Sequence, residues 1–201
     1  MTPLDPRLYL VVDPVHGPPD PLAVVRDAVD GGVTAVQVRA PRATGLALYE
    51  ATVGVLLALR GSGVAVVVDD RLDVALAAGA DGVHLGRHDL PPEAARRVAG
   101  PEPSIGWSVT GPDDLDTALD AVDLLGIGPV FATATKPDAA PATGVDGLRR
   151  LATAVDVPSV AIGGIDTGNA AAVLAAGVDG LAVSSATAAP PTRARPPGPC
   201  A

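Results

Sequence analysis

Cysteine, lysine and aromatic residues are scarce in this 201-residue sequence. Cys200 is the only cysteine and Lys136 the only lysine. A single cysteine excludes both a disulfide within the chain and a cysteine metal site, and it agrees with a reducing, cytoplasmic location. Aromatic residues make up 2% of the chain, so Val, Ala, Leu and Ile must fill the core that a 48% hydrophobic composition allows.

Basic clusters and long apolar runs are also missing. The formal net charge is -9 and no run of Lys or Arg occurs, which argues against a nucleic-acid or anionic-membrane partner. The chain does not open with a basic segment, an apolar core and a small-residue cleavage site, and no apolar run reaches membrane-spanning length. We expect a soluble cytoplasmic protein whose partners are small molecules and which holds any phosphate locally. Its oligomeric state does not follow from the sequence.

Short apolar runs alternate with helical segments along the chain, which predicts parallel strands with right-handed crossovers. The predicted strands are 8–12, 35–38, 65–68, 82–85, 104–108, 124–128, 159–162 and 180–183. The predicted helices are 21–30, 45–60, 72–78, 91–98, 112–122, 146–155 and 167–176. This α/β pattern favours a (β/α)8 TIM barrel. The alternative is a doubly wound open sheet, but no Gly-x-Gly-x-x-Gly opens a helix here.

The last part of the chain does not continue the pattern. Its proline density excludes a regular eighth helix. We expect a single barrel domain over residues 1–189 and a disordered, proline-rich tail over residues 190–201.

Two aspartates follow neighbouring predicted strands. Asp70 comes directly after strand 65–68, and Asp89 follows strand 82–85. Because adjacent parallel strands lie about 4.8 Å apart, carboxylates at their ends can converge on one hard cation that also bridges phosphates. This predicts a Mg²⁺ site for a diphosphate. The alternative is that both are helix caps or solvated loop charges.

Several motifs together resemble the thiamine-phosphate synthase family, and the resemblance covers residues 8–186. The motifs are Asp70-Arg71, residues 80–86, Asp89-Leu90-Pro91, residues 128–131, residues 133–136 and residues 161–165. The resemblance implies a transferase of thiamine biosynthesis that joins a pyrimidine carried on a diphosphate to a phosphorylated thiazole, with Mg²⁺ as cofactor.

The same resemblance implies roles for individual residues. Gln37, Arg39 and Lys136 correspond to residues that hold the diphosphate, and Ser108 to one that touches the pyrimidine side. Catalytic roles fall on Arg39, Lys136 and Ser108, and metal binding on Asp70 and Asp89. The full set of expected substrate-binding residues is Gln37, Arg39, Asp69, Ser108, Thr133, Ala134, Thr135, Lys136, Gly164, Ser184 and Ser185.

Phosphate often binds after strands seven and eight of such barrels. Gly163-Gly164 and Ser184-Ser185 stand there and suit the thiazole's phosphate, because glycines let backbone N–H groups approach an anion and serines add hydroxyl donors. The alternative for Gly163-Gly164 is a tight turn. His84 is interpreted as a core histidine without a catalytic role.

The implied mechanism is a dissociative displacement. Mg²⁺, Arg39 and Lys136 would neutralise the leaving diphosphate while the pyrimidine carries the developing cation, and the thiazole nitrogen then attacks. No side-chain nucleophile is required.

Three positions depart from the family pattern. Pro41 stands where a lysine is usual, Asp69 where an asparagine is usual, and Arg87 where glutamine is more frequent. We expect Arg87 to compensate partly for the lost lysine. The departures keep open a degenerate, non-catalytic barrel that binds thiamine precursors. A thiazole tautomerase is less favoured, because Ser108-Val109-Thr110 lacks the histidine of that group.

Overall fold

The computed structural model describes residues 1–116, 119–133 and 140–184, and within these ranges eight parallel strands close into a barrel. The strands are Leu8–Val12 (β1), Ala35–Val38 (β2), Ala65–Asp69 (β3), Gly82–Leu85 (β4), Ser104–Val109 (β5), Leu124–Ile127 (β6), Ser159–Ile162 (β7) and Gly180–Ser184 (β8). Each strand pairs with its neighbours in sequence, and β1 pairs with β8. The predicted (β/α)8 barrel is confirmed.

Six α-helices connect the strands within the described ranges. They are Pro21–Asp30 (α1), Gly45–Ala58 (α2), Leu72–Ala78 (α3), Pro92–Ala99 (α4), Gly144–Ala152 (α5) and Ala170–Leu174 (α6). Capping interactions determine where some of these helices begin or end. The Asp20 side chain accepts a hydrogen bond from the Ala23 N–H at the start of α1, and Gly79 ends α3 in the left-handed conformation, with φ of 70°.

The helix predicted over 112–122 is wrong. Two short 3₁₀ turns, Pro112–Leu115 and Leu119–Ala121, stand in its place among the described residues. The Asp114 carboxylate is buried and accepts hydrogen bonds from the Thr110 N–H, the Thr110 hydroxyl and the Gly111 N–H. This side chain therefore ties the loop back to the end of β5 instead of facing outward on a helix.

The helix predicted over 167–176 is shorter than expected. Asp166 accepts hydrogen bonds from the Gly168 and Asn169 N–H groups, while the Asn169 side chain accepts one from the Asp166 N–H. These side chains satisfy the backbone groups before Ala170 in a turn, so α6 begins at Ala170. The predicted division at residue 189, the disordered tail and the absent eighth helix all fall on residues outside the described ranges.

Apolar side chains fill most of the space inside the barrel. This interior cluster comprises Tyr9, Val11, Ala35, Val67, Leu124, Val160 and Ala182. A larger cluster packs the outer faces of the strands against the helices. Trp107 belongs to that outer cluster and donates its indole N–H to the Asp114 carbonyl oxygen at 3.0 Å, as expected for a residue facing the helix layer. None of the helices in the described ranges is long and apolar enough to cross a membrane.

His84 lies inside the barrel, over a glycine of the neighbouring strand β5 and a glycine of β6, the strand beyond it. Gly106 is its register partner on β5, and a Cβ there would overlap the His84 Nδ1 atom. A Cβ at Gly126 on β6 would lie 2.9 Å from the His84 Cε1 atom. Both strands therefore need glycine at these positions to admit the imidazole ring.

We expect Gly106→Ala to destabilise the protein by about 1–3 kcal/mol, because the new methyl group must displace a packed ring. Chemical denaturation with circular dichroism measures this. Gly111→Ala is the matched control, because a Cβ at Gly111 meets no atom within 4 Å and φ is -164°. Equal stability of the two variants would contradict the assigned position of His84.

Asp114 provides a pH-dependent prediction. Burial alone would raise the pKa of its carboxyl, but hydrogen bonds from Thr110 and the nearby Arg87 guanidinium outweigh this effect and hold it below its ordinary value. A depressed folded-state pKa stabilises the fold above the unfolded-state value, and this contribution is lost as the pH falls through the folded-state value.

We expect Asp114→Asn to lower the free energy of unfolding by about 1–3 kcal/mol at pH 7. The difference from the parent chain should begin to shrink below about pH 4, where the carboxyl of the unfolded parent chain becomes protonated, and should shrink further as the pH falls through the folded-state pKa. Urea denaturation at a series of pH values tests this. A difference that stays constant down to pH 3 would show that the charge of Asp114 does not matter.

Candidate active site

Polar side chains gather at the carboxyl ends of β2 and β3. The Gln37 amide and the Arg39 guanidinium both bind Asp69: the Gln37 Nε2 donates to Asp69 Oδ1, and Arg39 Nε lies 2.9 Å from Asp69 Oδ2. The Asp69 side chain is 10% exposed. The structure thus brings three of the predicted substrate-binding residues together, and their role stays a prediction. The sequence did not predict that the carboxylate at position 69 would neutralise Arg39.

Asp70 occupies a bend directly after β3. Its φ of 62° is the only positive φ of a non-glycine residue in the described ranges, and its N–H donates to the His84 carbonyl oxygen at 2.8 Å. This left-handed conformation is uncommon for residues with a side chain, although aspartate tolerates it better than most. The bend ends the strand and leaves Asp70 exposed at the rim of the barrel.

Asp89 lies in the tight turn after β4. Its Oδ2 accepts a hydrogen bond from the Gly86 N–H at 2.8 Å, and its own N–H donates to the Gly86 carbonyl oxygen at 2.9 Å. Within the described ranges, Asp89 Oδ1 accepts no hydrogen bond. The turn therefore holds the half-buried carboxylate in place and presents one oxygen for a ligand.

Asp70 and Asp89 follow adjacent strands, as predicted, because β3 pairs with β4. No group of three or more His, Cys, Asp or Glu side chains suited to a metal ion occurs among the described residues. Two carboxylates are nevertheless the kind of donor set that Mg²⁺ uses when substrate phosphates and water complete its shell. The residues present fit this ion.

Ser108 lies near the end of β5, where its hydroxyl is 3.0 Å from His84 Nε2. The sequence interpretation gave His84 no functional role, so this contact was missed. Residue alternation along β4 and the glycines at 106 and 126 indicate that the His84 ring lies inside the barrel near Ser108. They do so only once the register of β4, β5 and β6 is known. His84 positions Ser108 from inside the barrel.

The ends of β6 and β7 form a compact turn. Gly163 and Gly164 have φ of 101° and 64°. The segment after β6 packs onto them: Phe131 donates its N–H to the Gly163 carbonyl oxygen at 3.0 Å, and a Cβ at Gly164 would lie 2.8 Å from the Phe131 Cβ. Both positions therefore require glycine for their backbone conformation and close packing, as the tight-turn alternative supposes. This does not exclude anion binding by nearby N–H groups.

The remaining predicted site residues divide into two groups. Thr133 follows the segment packed on Gly164, and Ser184 ends β8 beside Val11 of β1. Ala134, Thr135, Lys136 and Ser185 lie outside the described residues.

Arg87 pairs with Asp114, and its expected compensation for the missing lysine stays a prediction. Its NH2 atom lies 2.5 Å from Asp114 Oδ1, and that carboxylate is 5% exposed. The guanidinium therefore contacts the loop after β5.

The space beside Pro41 is a cleft of about 120 Å³ between the loop after β2 and the end of β3, and Asp70 and Arg71 line its far side.

Comparisons with known proteins agree with this geometry. Residues 8–187 match the family model described as thiamine monophosphate synthase. A thiamine-phosphate synthase of Albidiferax ferrireducens is 48% identical over 185 residues, which cover 91% of this chain and 84% of the relative. One of Laribacter hongkongensis is 47% identical over 192 residues, covering 94% and 91%.

A solved structure extends the similarity to three dimensions. The thiamine phosphate pyrophosphorylase of Pyrococcus furiosus superposes with a TM-score of 0.77 at 42% identity, covering 90% of this chain and 86% of that one. These relatives are enzymes that transfer a group, and their similarity spans every strand of the barrel. The chain therefore belongs to the thiamine monophosphate synthase family.

Proposed function

We propose that this chain joins a pyrimidine methyl diphosphate to a thiazole phosphate, releasing diphosphate and forming thiamine phosphate. The observation that carries the proposal is the placement of Gln37, Arg39, Asp70 and Asp89 at three adjacent strand ends. This arrangement supplies hydrogen-bond donors, a guanidinium and two carboxylates at one rim. Relatives named thiamine-phosphate synthase support this activity over a degenerate barrel or a tautomerase.

The substrate's diphosphate would lie between the ends of β2 and β4. Arg39 would donate to it and Gln37 would orient it, which requires both side chains to share or leave their contacts with Asp69. Lys136, outside the described residues, is the further cation that the family resemblance implies. The thiazole's phosphate would bind near Gly164 and Ser184, after β7 and β8.

Asp70 and Asp89 would hold Mg²⁺. When bound, this ion supplies positive charge beside the leaving diphosphate. The protein's own contribution is to hold the two carboxylates, one by the bend at Asp70 and the other by the Gly86 N–H.

The proposed bond changes are simple. The bond between the pyrimidine's methylene carbon and the diphosphate oxygen breaks, and its electron pair leaves with the diphosphate. The lone pair of the thiazole nitrogen then forms the new carbon–nitrogen bond. No protein nucleophile takes part, so the Ser108 and His84 pair orients the pyrimidine and does not attack it.

The first test is to mix the purified chain with the pyrimidine diphosphate and the thiazole phosphate, with Mg²⁺ or with EDTA. Thiamine phosphate is followed by oxidation to fluorescent thiochrome. We expect Mg²⁺-dependent product. A folded sample that gives none would overturn the proposal and favour the non-catalytic barrel. The cytoplasmic location stays a prediction.

We expect Asp70→Asn and Asp89→Asn each to lower turnover by about 100-fold or more, because either change removes a charged ligand for the ion. A Mg²⁺ titration of initial rates should show weaker apparent affinity in both variants. Asp27→Asn is the control, since Asp27 is exposed on α1 and away from the strand ends. Unchanged Mg²⁺ dependence in the two site variants would remove the metal assignment.

Pro41→Lys tests the cleft after β2. A lysine there would add a charged donor beside the end of β3, so we expect binding of the pyrimidine diphosphate to tighten by about fivefold, or about 1 kcal/mol. Isothermal titration calorimetry measures the dissociation constant. Pro101→Lys adds the same charge at the opposite end of the barrel and should leave it unchanged. No effect of Pro41→Lys would mean that exposed Arg42 already serves this site.

A further inference from the structure

The helix α2 is apolar on both of its faces. Its inner face packs on the barrel through buried Leu48, Thr52 and Val55. Its outer face, which an isolated barrel would present to water, carries Leu46, 66% exposed, and Leu57, 57% exposed. A surface helix normally turns charged residues outward, whereas a helix that is hydrophobic all round is normally buried on all sides.

Other helices of the barrel follow the normal pattern. Exposed charged residues stand on α1, such as Arg26 and Asp27, and on α5, such as Arg149 and Arg150. Within α2 itself, Glu50 is the only charged residue. The outer face of α2 therefore differs from its neighbours in composition, which points to a partner that covers it.

The outer residues of α2, together with Arg60 in the turn directly after it, follow the spacing of a helix-packing seam. Steps of four, three, four and three residues separate them, which is the repeat that keeps one stripe of a helix against another helix. The seam residues are Leu46, Glu50, Val53, Leu57 and Arg60.

The two charges on this seam have opposite signs and no ion-pair partner among the described residues. Glu50 and Arg60 are both exposed, and they stand at either side of Val53 and Leu57. An antiparallel copy of the same seam places Glu50 of one copy opposite Arg60 of the other, because the two residues lie at equal distances from position 55. In the same register Val53 faces Leu57.

We propose that the outer face of α2 forms a symmetric dimer interface in which two copies of α2 pack antiparallel. At the centre of the interface, Val53 of each copy would pack against Leu57 of the other. A Glu50–Arg60 pair would lie on either side of these apolar contacts, and the two pairs would be related by the two-fold axis. A two-fold interface needs a surface that is complementary to itself, and this seam meets that condition. The occupant is therefore a second copy of this chain.

Charge selects the register of the two helices. Sliding one helix to the next possible alignment would set Glu50 opposite Val53 and Leu46 opposite Leu57, and would bury a carboxylate against an aliphatic side chain. That arrangement leaves the charge unpaired, which is costly. The ion pairs thus specify the alignment, and the apolar contacts supply the driving force.

A cleft beside the seam enlarges the contact surface. It has a volume of about 390 Å³ and lies between α2, which contributes Leu56 and Leu57, and the end of α3, which contributes Ala78. Leu76 of α3 is 37% exposed. A seam on a single 14-residue helix needs additional contacts to reach the buried area of a stable interface. Side chains of the second copy that enter this cleft would supply them.

The first experiment is sedimentation velocity over a micromolar concentration series. We expect the parent chain to be a dimer and Leu57→Glu to raise its dissociation constant at least tenfold. Leu174→Glu is the matched control, because Leu174 is 45% exposed on α6, across the barrel. This variant should remain a dimer. Circular dichroism and thiamine phosphate formation verify that each variant is folded, since Leu57 lies far from the strand ends that carry the proposed active site.

Charge exchange tests the register directly. Glu50→Arg and Arg60→Glu alone should each weaken the dimer, and the double variant should restore it. Mixing the two single variants should also give a heterodimer, because both flanking pairs are then complementary. A monomeric parent chain, a dimer that survives Leu57→Glu, or a double variant no tighter than the single ones would overturn the proposal.

Discussion

The pairing of β1 with β8 is the constraint on which the rest of the structure depends. Residues at opposite ends of the chain, such as Leu10 and Val183, become neighbours, and every strand then has two hydrogen-bonded partners. Closure leaves no open sheet edge. It also gathers the carboxyl ends of all the strands into one rim, which is why residues as distant in sequence as Gln37 and Ser184 can serve one site.

Within that rim, the Asp69 carboxylate controls the local electrostatics. It accepts the Gln37 amide and pairs with Arg39, so two groups that suit an anion already have a protein partner. An asparagine at this position would leave the arginine's charge uncompensated. In the proposed function, binding of a diphosphate would therefore compete with an internal carboxylate, at a cost that a neutral residue would avoid.

Strand positions were predictable from sequence because they depend on local runs. Residues 66–68 are three consecutive β-branched valines followed by two aspartates, and the observed strand Ala65–Asp69 differs from the predicted one by one residue. The segment 112–122 was not predictable in the same way, because a buried hydrogen-bond network around Asp114 outweighs its helical pattern. The packing of His84 over Gly106 was also not predictable from the sequence. Alternation along a strand determines which face a side chain lies on, but its neighbours depend on the register between strands.

The proposed reaction brings two phosphorylated substrates to a chain with a net charge of -9. Three arginines near the strand ends are already paired with aspartates: Arg39 with Asp69, Arg71 with Asp73 and Arg87 with Asp114. Pairing lowers the charge that each presents to a ligand, although exposed pairs such as Arg71 and Asp73 exchange partners at little cost. In the proposed reaction, the positive charge for the diphosphate would then come from partner exchange, from the ion proposed on Asp70 and Asp89, and from cations outside these pairs. We therefore expect such a site to depend more strongly on its proposed metal than one with a lysine at position 41, because fewer protein cations are left to stabilise the leaving diphosphate.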